Sequence, residues 1–136
     1  MHTEFTNSKY VIITDEKDRV LWDRIEIAET FFLKLKGLMF RKKLEHGEGL
    51  LLLEVSSIHM CFMRFPIDAI FLDRDFRVKR VFMNLKPWTG FAIADAAHVL
   101  ELPSGSTSGL EIGMQIRLRG HSCNSTISAP RAGRVD

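Results

Sequence analysis

Cysteine is scarce in this chain. Cys61 and Cys123 stand far apart among 136 residues and form no Cys-x-x-Cys pair. They offer no disulfide framework, which suits a reducing compartment. Cys61, set between Met60 and Phe62, reads as a buried thiol. Long apolar runs are missing too. The longest aliphatic stretch, Leu50 to Leu53, falls far short of the roughly 20 residues a membrane-spanning helix needs. The opening residues, Met1 to Asn7, lack the basic start and apolar core of a secretory signal, so the cytoplasm is the expected location. Charge of one sign is also missing. Nineteen Lys and Arg against seventeen Asp and Glu leave a net charge of +2. The basic clusters Arg41-Lys42-Lys43 and Arg77 with Lys79-Arg80 are interleaved with Glu45, Asp73 and Asp75. They read as solvated surface, so a nucleic-acid partner is not indicated. No Gly-x-Ser-x-Gly elbow, His-Glu-x-x-His, phosphate-cradling glycine loop or dinucleotide fingerprint occurs, and no cofactor is implied. No internal repeat is visible.

What is present suits a folded domain. Hydrophobic residues make up 46% and charged residues 26%, ordinary globular usage that can support a core without disulfides or a structural metal. The expected organisation is one globular domain over 1–119 and a disordered Ser-, Pro-, Gly- and Arg-rich tail over 120–136. Tyr10 to Thr14 and Val20 to Trp22 read as an opening hairpin. Phe31, Phe32, Leu35, Leu38 and Met39 recur at helical spacing after Thr30, predicting one main helix near 30–40. Strands follow at Leu50 to Val55 and at Ile58 to Phe65. The second has bulky residues on both faces, as a central strand covered on both sides would. Asp73 to Phe76 reads as a tight turn joining Ala69–Leu72 to Val78–Leu85. The apolar parity changes between Val78 and Val81, which predicts a β-bulge near Lys79-Arg80. Ala97–Leu102 and Gln115–Arg119 complete about seven strands. The fold class expected is α+β, mostly β, a compact barrel-like mixed sheet with one main helix and short helical turns.

The stretch from Ile58 to Asp68 is the most informative. It sets His59, Arg64 and Asp68 in an apolar run, and buried charges need partners or a site to serve. Three blocks carry a family likeness: Gly37-Leu38-Met39-Phe40-Arg41 with Leu44 and Gly49-Leu50-Leu51; His59 through Asp73 with Arg77-Val78; and Val99 through Gly105 with Ile112-Gly113. In this order they resemble the bacterial and archaeal family called domain of unknown function 192. The form Met63-Arg64-Phe65-Pro66-Ile67-Asp68 resembles a second branch of that family. Gly113 is followed by Met114 where relatives commonly carry an acid. The resemblance implies a small, mostly β domain and no settled activity.

Candidate site residues are His59, Arg64, Asp68, Trp88 and Arg41. Arg64 and Asp68 flank Pro66, where a bend brings a guanidinium and a carboxylate within reach of each other. That pair is expected to fix the corner, with a ligand clamp at Arg64 as the functional reading. His59 and Cys61 lie two apart on a strand, as a Cys-His dyad or half a metal site requires. Zinc would also need His46 and His98, which stand at no recognisable ligand spacing, so no metal is expected. Trp88, after Pro87 in a loop, is the best candidate for a solvent-facing aromatic that stacks on a ligand or partner, with a lid on the barrel mouth as the equal alternative. Arg41 would stand on the rim of a groove over Gly37-Leu38-Met39. The leading expectation is a non-enzymatic module binding a small anionic ligand or a peptide near His59, Arg64 and Trp88. The rival is a hydrolase- or transferase-like enzyme using His59 with Asp68 or Cys61, and the third is a nucleic-acid-binding barrel using Arg41-Lys42-Lys43.

Overall fold

A computed structural model describes residues 10–28, 38–39, 41–120 and 126–127. Within them ten strands form: β1 (Tyr10–Thr14), β2 (Val20–Ala28), β3 (Glu48–Leu52), β4 (Ser57–His59), β5 (Ile67–Leu72), β6 (Val78–Leu85), β7 (Phe91–Ile93), β8 (His98–Pro103), β9 (Arg117–Gly120) and β10 (Thr126–Ile127). Eight of them make one sheet in the order β10-β9-β1-β2-β3-β8-β5-β6, and β4 and β7 make a separate two-stranded ribbon. The sheet is mixed, because β2 runs parallel to β3 while the other pairs are antiparallel.

Local chemistry explains the turns. The Asp15 carboxylate accepts hydrogen bonds from the Lys17 and Arg19 amides at 2.8 and 3.0 Å, closing the β1–β2 hairpin. The Arg19 amide above all holds that carboxyl below its usual range. Asp73 does the same between β5 and β6, accepting from the amides of Asp75 (2.8 Å) and Arg77 (2.9 Å). Short acids are favoured in turns because they bond the backbone two residues on. The predicted bulge is present: Phe71 pairs with Arg80 while Leu72 pairs with Val78, leaving Lys79 as the extra residue. A second irregularity separates the pairs Ile67–Leu85 and Ala69–Phe82.

Each face of the sheet carries its own core. Ile25, Leu51, Leu100 and Ile70 lie on one face and join Val11 and Ile13 in the first cluster. Leu50, Leu52, Val99 and Phe71 lie on the other face, where Ile58, Met60, Met63 and Ala92 cover them. The strands buried along their whole length are the neighbours β5 and β8, flanked in the sheet by β6 and β3.

Four expectations are corrected or left aside. The mostly β character holds, but the sheet is not closed into a barrel: β10 and β6 are its two ends. The start of β6 and the residue before it do meet the chain ahead of β9, through a Val78 N–H to Met114 carbonyl bond of 2.9 Å and the Arg77–Gln115 bridge. The helix near 30–40 lies outside the described residues save for a turn at Leu38-Met39, and no helix occurs among the described residues. The segment from Ile58 to Phe65 is not a central strand. Only β4 is extended, and at Met60 the chain turns, with the Met63 amide donating to the Met60 carbonyl at 3.2 Å. Met60 and Met63 are thus buried while Cys61, expected inside, is exposed. A short turn sends every third residue inward, and a run apolar at nearly every position cannot distinguish that from a strand covered on both sides. Part of the expected tail, β10, pairs with β9 at Arg119 and Leu118.

Gly49 shows how tightly the sheet centre is packed. A Cβ there would lie 2.6 Å from the Glu101 carbonyl oxygen and 2.7 Å from Leu102 Cδ2. The first of these is ladder backbone and cannot yield. Gly49→Ala is therefore expected to cost about 1–3 kcal/mol, read as a lower urea midpoint at unchanged slope. An unchanged midpoint would show that the β3–β8 contact is looser than this geometry.

Candidate functional site

Asp68 sits on β5 and is 1% exposed, so its charge must be met from within. It is met by backbone. Oδ1 accepts from the Asn84 amide at 2.9 Å, and Oδ2 from the amides of Gly105 and Ser106 and the Thr107 hydroxyl, each at 3.0 Å. Asn84 has a φ of 56° and Gly105 a φ of 92°, so the clamp draws together a left-handed kink in β6 and the turn after β8. Arg64 is not among these donors. It lies exposed on the loop before Pro66, and no ion pair joins it to Asp68. The corner is held by Asp68 with amides and a hydroxyl in place of the guanidinium.

The other residues singled out from sequence fall into two places. His59 ends β4, is exposed, and pairs across the ribbon with Phe91. Its Nδ1 accepts the Cys61 amide at 3.2 Å, so the contact linking them runs through backbone and ring. Trp88 lies at the same end of the ribbon, where its amide donates to the Met60 carbonyl at 2.7 Å. Its ring meets that of Phe62, centroids 4.9 Å apart and planes at 59°. Trp88 is 58% exposed and Phe62 45%, and outward along the ribbon Phe91 and Ile93 are each 60% exposed. Arg64, two residues beyond Phe62, and Lys86, two before Trp88, are exposed. His59 and Trp88 thus belong to one end of the ribbon, and Asp68 does not face it.

Arg41 belongs to the second place, on the sheet itself. Its Nη2 pairs with Glu26 Oε1 at 2.9 Å. Glu26, Leu50, Glu101 and Ala69 are successive register partners across β2, β3, β8 and β5, so their side chains share a face. Glu101 is 5% exposed there. Burial pushes its carboxyl up to about 7, and the nearby Arg41 charge pulls it down by less. Sequence reading passed over Glu101, although the signal was available: it is a single acid in the apolar run from Val99 to Leu102. His98, offered as a metal ligand, is buried, stacks on the Phe76 ring and accepts the Glu54 amide at Nδ1 (3.0 Å), while His46 is exposed. Among the described residues no group of three His, Cys, Asp or Glu is placed to hold a metal ion. No helix among them is long and apolar enough to cross a membrane.

Two buried acids give two expectations. Asp68→Ala strands three backbone amides and the Thr107 hydroxyl without their acceptor. The loss should reach about 3 kcal/mol or more by urea unfolding, and a loss under about 1 kcal/mol would show that water replaces the carboxylate. Glu101 behaves oppositely. An ordinary glutamate titrates near 4.5, whereas folded Glu101 keeps its proton to about 7. Between those values the folded chain binds more protons than the unfolded one. The stabilisation is complete below about pH 4.5 and is lost as pH rises through about 7. Glu101→Gln should match the wild type near pH 4.5 and exceed it at pH 8 by roughly 3 kcal/mol. Melting curves at both pH values check this, and parallel pH profiles would refute it.

With this geometry in hand, comparison with known proteins is informative. The family model DUF192, described as an uncharacterized ACR, matches residues 11–118. The UPF0127 protein PH1112 of Pyrococcus horikoshii is 36% identical over 113 residues, 78% of this chain and 97% of that protein. A UPF0127 protein of Thermococcus sibiricus is 32% identical over 127 residues, 88% of this chain and 82% of that one. A protein of unknown function from Novosphingobium aromaticivorans has a similar solved structure, with a TM-score of 0.67 and 29% identity over 79% of this chain and 82% of that one. A Sinorhizobium meliloti structure, titled as a candidate transcription regulator, shares the fold at a TM-score of 0.71 and 22% identity, over 81% of this chain and 92% of that one. The chain belongs to the DUF192 family of uncharacterised proteins.

Proposed function

We propose that this protein is a non-enzymatic binding module. Its docking surface is the outward side of the β4–β7 ribbon. Its ligand is an extended peptide segment of another protein, carrying a large apolar side chain beside a carboxylate.

The Phe62–Trp88 pair carries this reading. Both residues have left-handed backbone, with φ of 65° and 70°. For bulky side chains that conformation costs about 1–2 kcal/mol each. Much of the paired aromatic surface nevertheless stands in solvent, Trp88 being 58% and Phe62 45% exposed, and there the two rings meet. A fold selected for stability alone would put glycine or asparagine at these positions. Keeping aromatic rings there makes sense if the rings meet a partner.

The surroundings define that partner. Phe91 and Ile93 extend the apolar surface along the ribbon, and contiguous exposed patches of this kind mark interaction sites. Arg64 and Lys86, exposed and two residues from Phe62 and Trp88 in sequence, bring positive charge, which favours an acidic group beside the apolar anchor. The His59 ring, held through Nδ1, offers its other nitrogen to the same ligand. An extended segment suits a ribbon whose outward residues alternate with the buried Ile58 and Ala92.

The test uses the protein's own reporter. Trp22 is buried and Trp88 exposed, so in a Trp22→Phe background the emission comes from Trp88 alone. A panel of pentapeptides combining Phe, Leu or Trp with Asp or Glu is titrated in. Binding should shift Trp88 emission to the blue and protect it from iodide. Without the fluorescence readout, calorimetry should show Trp88→Ala and Arg64→Ala each weakening affinity by about tenfold or more. If no peptide protects Trp88, or both variants bind as well as the wild type, the reading fails.

A further inference from the structure

We infer that the partner segment joins the ribbon as a third strand, pairing its main chain with the outer edge of β7 at Phe91 and Ile93. The inference rests on the peptide reading above and narrows the class of peptide to a proline-free extended segment with apolar residues at alternate positions.

Register and hydrogen bonds decide which groups of β7 are spare. Ser57, Ile58 and His59 stand opposite Ile93, Ala92 and Phe91. The Met60 amide donates to the Gly90 carbonyl at 3.0 Å, and the Ala94 amide donates to the Ser56 carbonyl at 3.1 Å. In an antiparallel pair alternate residues turn their N–H and C=O to the partner, so Gly90, Ala92 and Ala94 face β4. Phe91 and Ile93 turn theirs to the opposite side. Among the described residues no hydrogen bond reaches those two amides or those two carbonyls. Both residues are 60% exposed, and Thr89 and Asp95 beyond them are exposed too.

The edge of the main sheet is guarded where this one is not. End strand β6 carries Lys79 and Arg80, the bulge at Lys79 and the left-handed kink at Asn84. Charge and bulges are the usual means of keeping an edge from recruiting a strand. Phe91-Ala92-Ile93 has no charge, no proline and no bulge. On β4 the corresponding edge is partly taken, because the Cys61 amide beyond it already donates to the His59 ring. The open side is therefore β7. A strand laid there would set alternate side chains beside Phe91 and Ile93 on the outward surface, which calls for aromatic or β-branched residues at those places. A second folded copy is the poorer occupant. The edge of β7 is three residues long, roughly 10 Å, and two rigid bodies joined there would fall far short of the roughly 1,000 Å² that a stable interface buries.

The experiment follows amide hydrogen exchange of the full chain, residue by residue by NMR, with the end-capped pentapeptide Glu-Phe-Thr-Val-Thr as probe. Exchange at Phe91 and Ile93 should slow by about tenfold or more when the peptide is added. In either strand direction every second peptide N–H points at β7. N-methylation of alternate peptide amides should therefore weaken binding about tenfold or more, and methylation of the intervening ones should be tolerated. Ile93→Pro removes an N–H that β4 does not use and should weaken binding to the same degree; the methylated peptides give a readout that needs no variant to fold. A peptide that perturbs Trp88 but leaves exchange at Phe91 and Ile93 unchanged overturns the strand and spares the aromatic surface. Protection of the two amides with Trp88 unmoved supports the strand and removes the aromatic anchor. Absence of binding, or equal losses from methylation at every position, overturns the strand as well. The same protection on concentrating the chain without peptide would assign the edge to a second copy and overturn the proposal.

Discussion

The Asp68 carboxylate is the point on which the arrangement of this fold depends. It projects from β5 and binds three backbone amides and one hydroxyl, contributed by the kink in β6 and by the turn after β8. Those are the two strands that flank β5 in the sheet. One side chain therefore fixes the ends of three adjacent strands. Removing the carboxylate would leave three backbone amides and the Thr107 hydroxyl without this acceptor. Pro66, immediately before β5, helps by holding Phe65 extended and ending the loop there.

With the centre of the sheet fixed, its two faces do different work. One is closed by a purely aliphatic and aromatic cluster running from Val11 to Leu118. The other is covered by Met60, Met63, Ile58 and Ala92 from the ribbon, and it also holds Glu101. Asp68 and Glu101 make an instructive contrast. Both are acids buried on neighbouring strands, but one has four donors and the other has no hydrogen bond or ion pair among the described residues. The first is explained by the fold alone. The second shares a sheet face with Glu26, and burial raises its proton affinity while the Arg41 charge opposes that by less. The ribbon supplies a third environment, where strained backbone at Phe62 and Trp88 turns aromatic rings outward.

Much of this was legible in the residues. The Asp15 and Asp73 turns followed from short acids placed between β-rich runs, and the Lys79 bulge followed from the parity of Val78 and Val81. Of the two readings open for Trp88, the solvent-facing one matches its exposure. The argument that charges in the Ile58–Asp68 run need partners also held for Asp68, though the partners differ from the one expected. Amides that a distant turn brings to a side chain leave no mark in local sequence, whereas Arg64 four residues away suggests itself at once. Cys61 was misplaced for a related reason: turns and covered strands look alike where nearly every residue is apolar. Glu101 was overlooked because a single acid in a strand ordinarily points to solvent, and only burial on both sides of β8 denies it that exit.

The amino-acid sequence by itself determined the family, the predominance of β structure, the main turns and the absence of familiar catalytic motifs. Each of these rests on local pattern: alternation, turn chemistry and short blocks in order. Tertiary structure alone decided which residues share a face and which buried groups are satisfied. It opened the expected barrel into a sheet with two ends, separated Arg64 from Asp68, turned Cys61 outward, and set Glu101 near Arg41 across strands far apart in the chain. The reason is physical. Hydrogen-bond partners and counter-charges are matters of distances between strands, and those distances are set by register, which no single segment specifies.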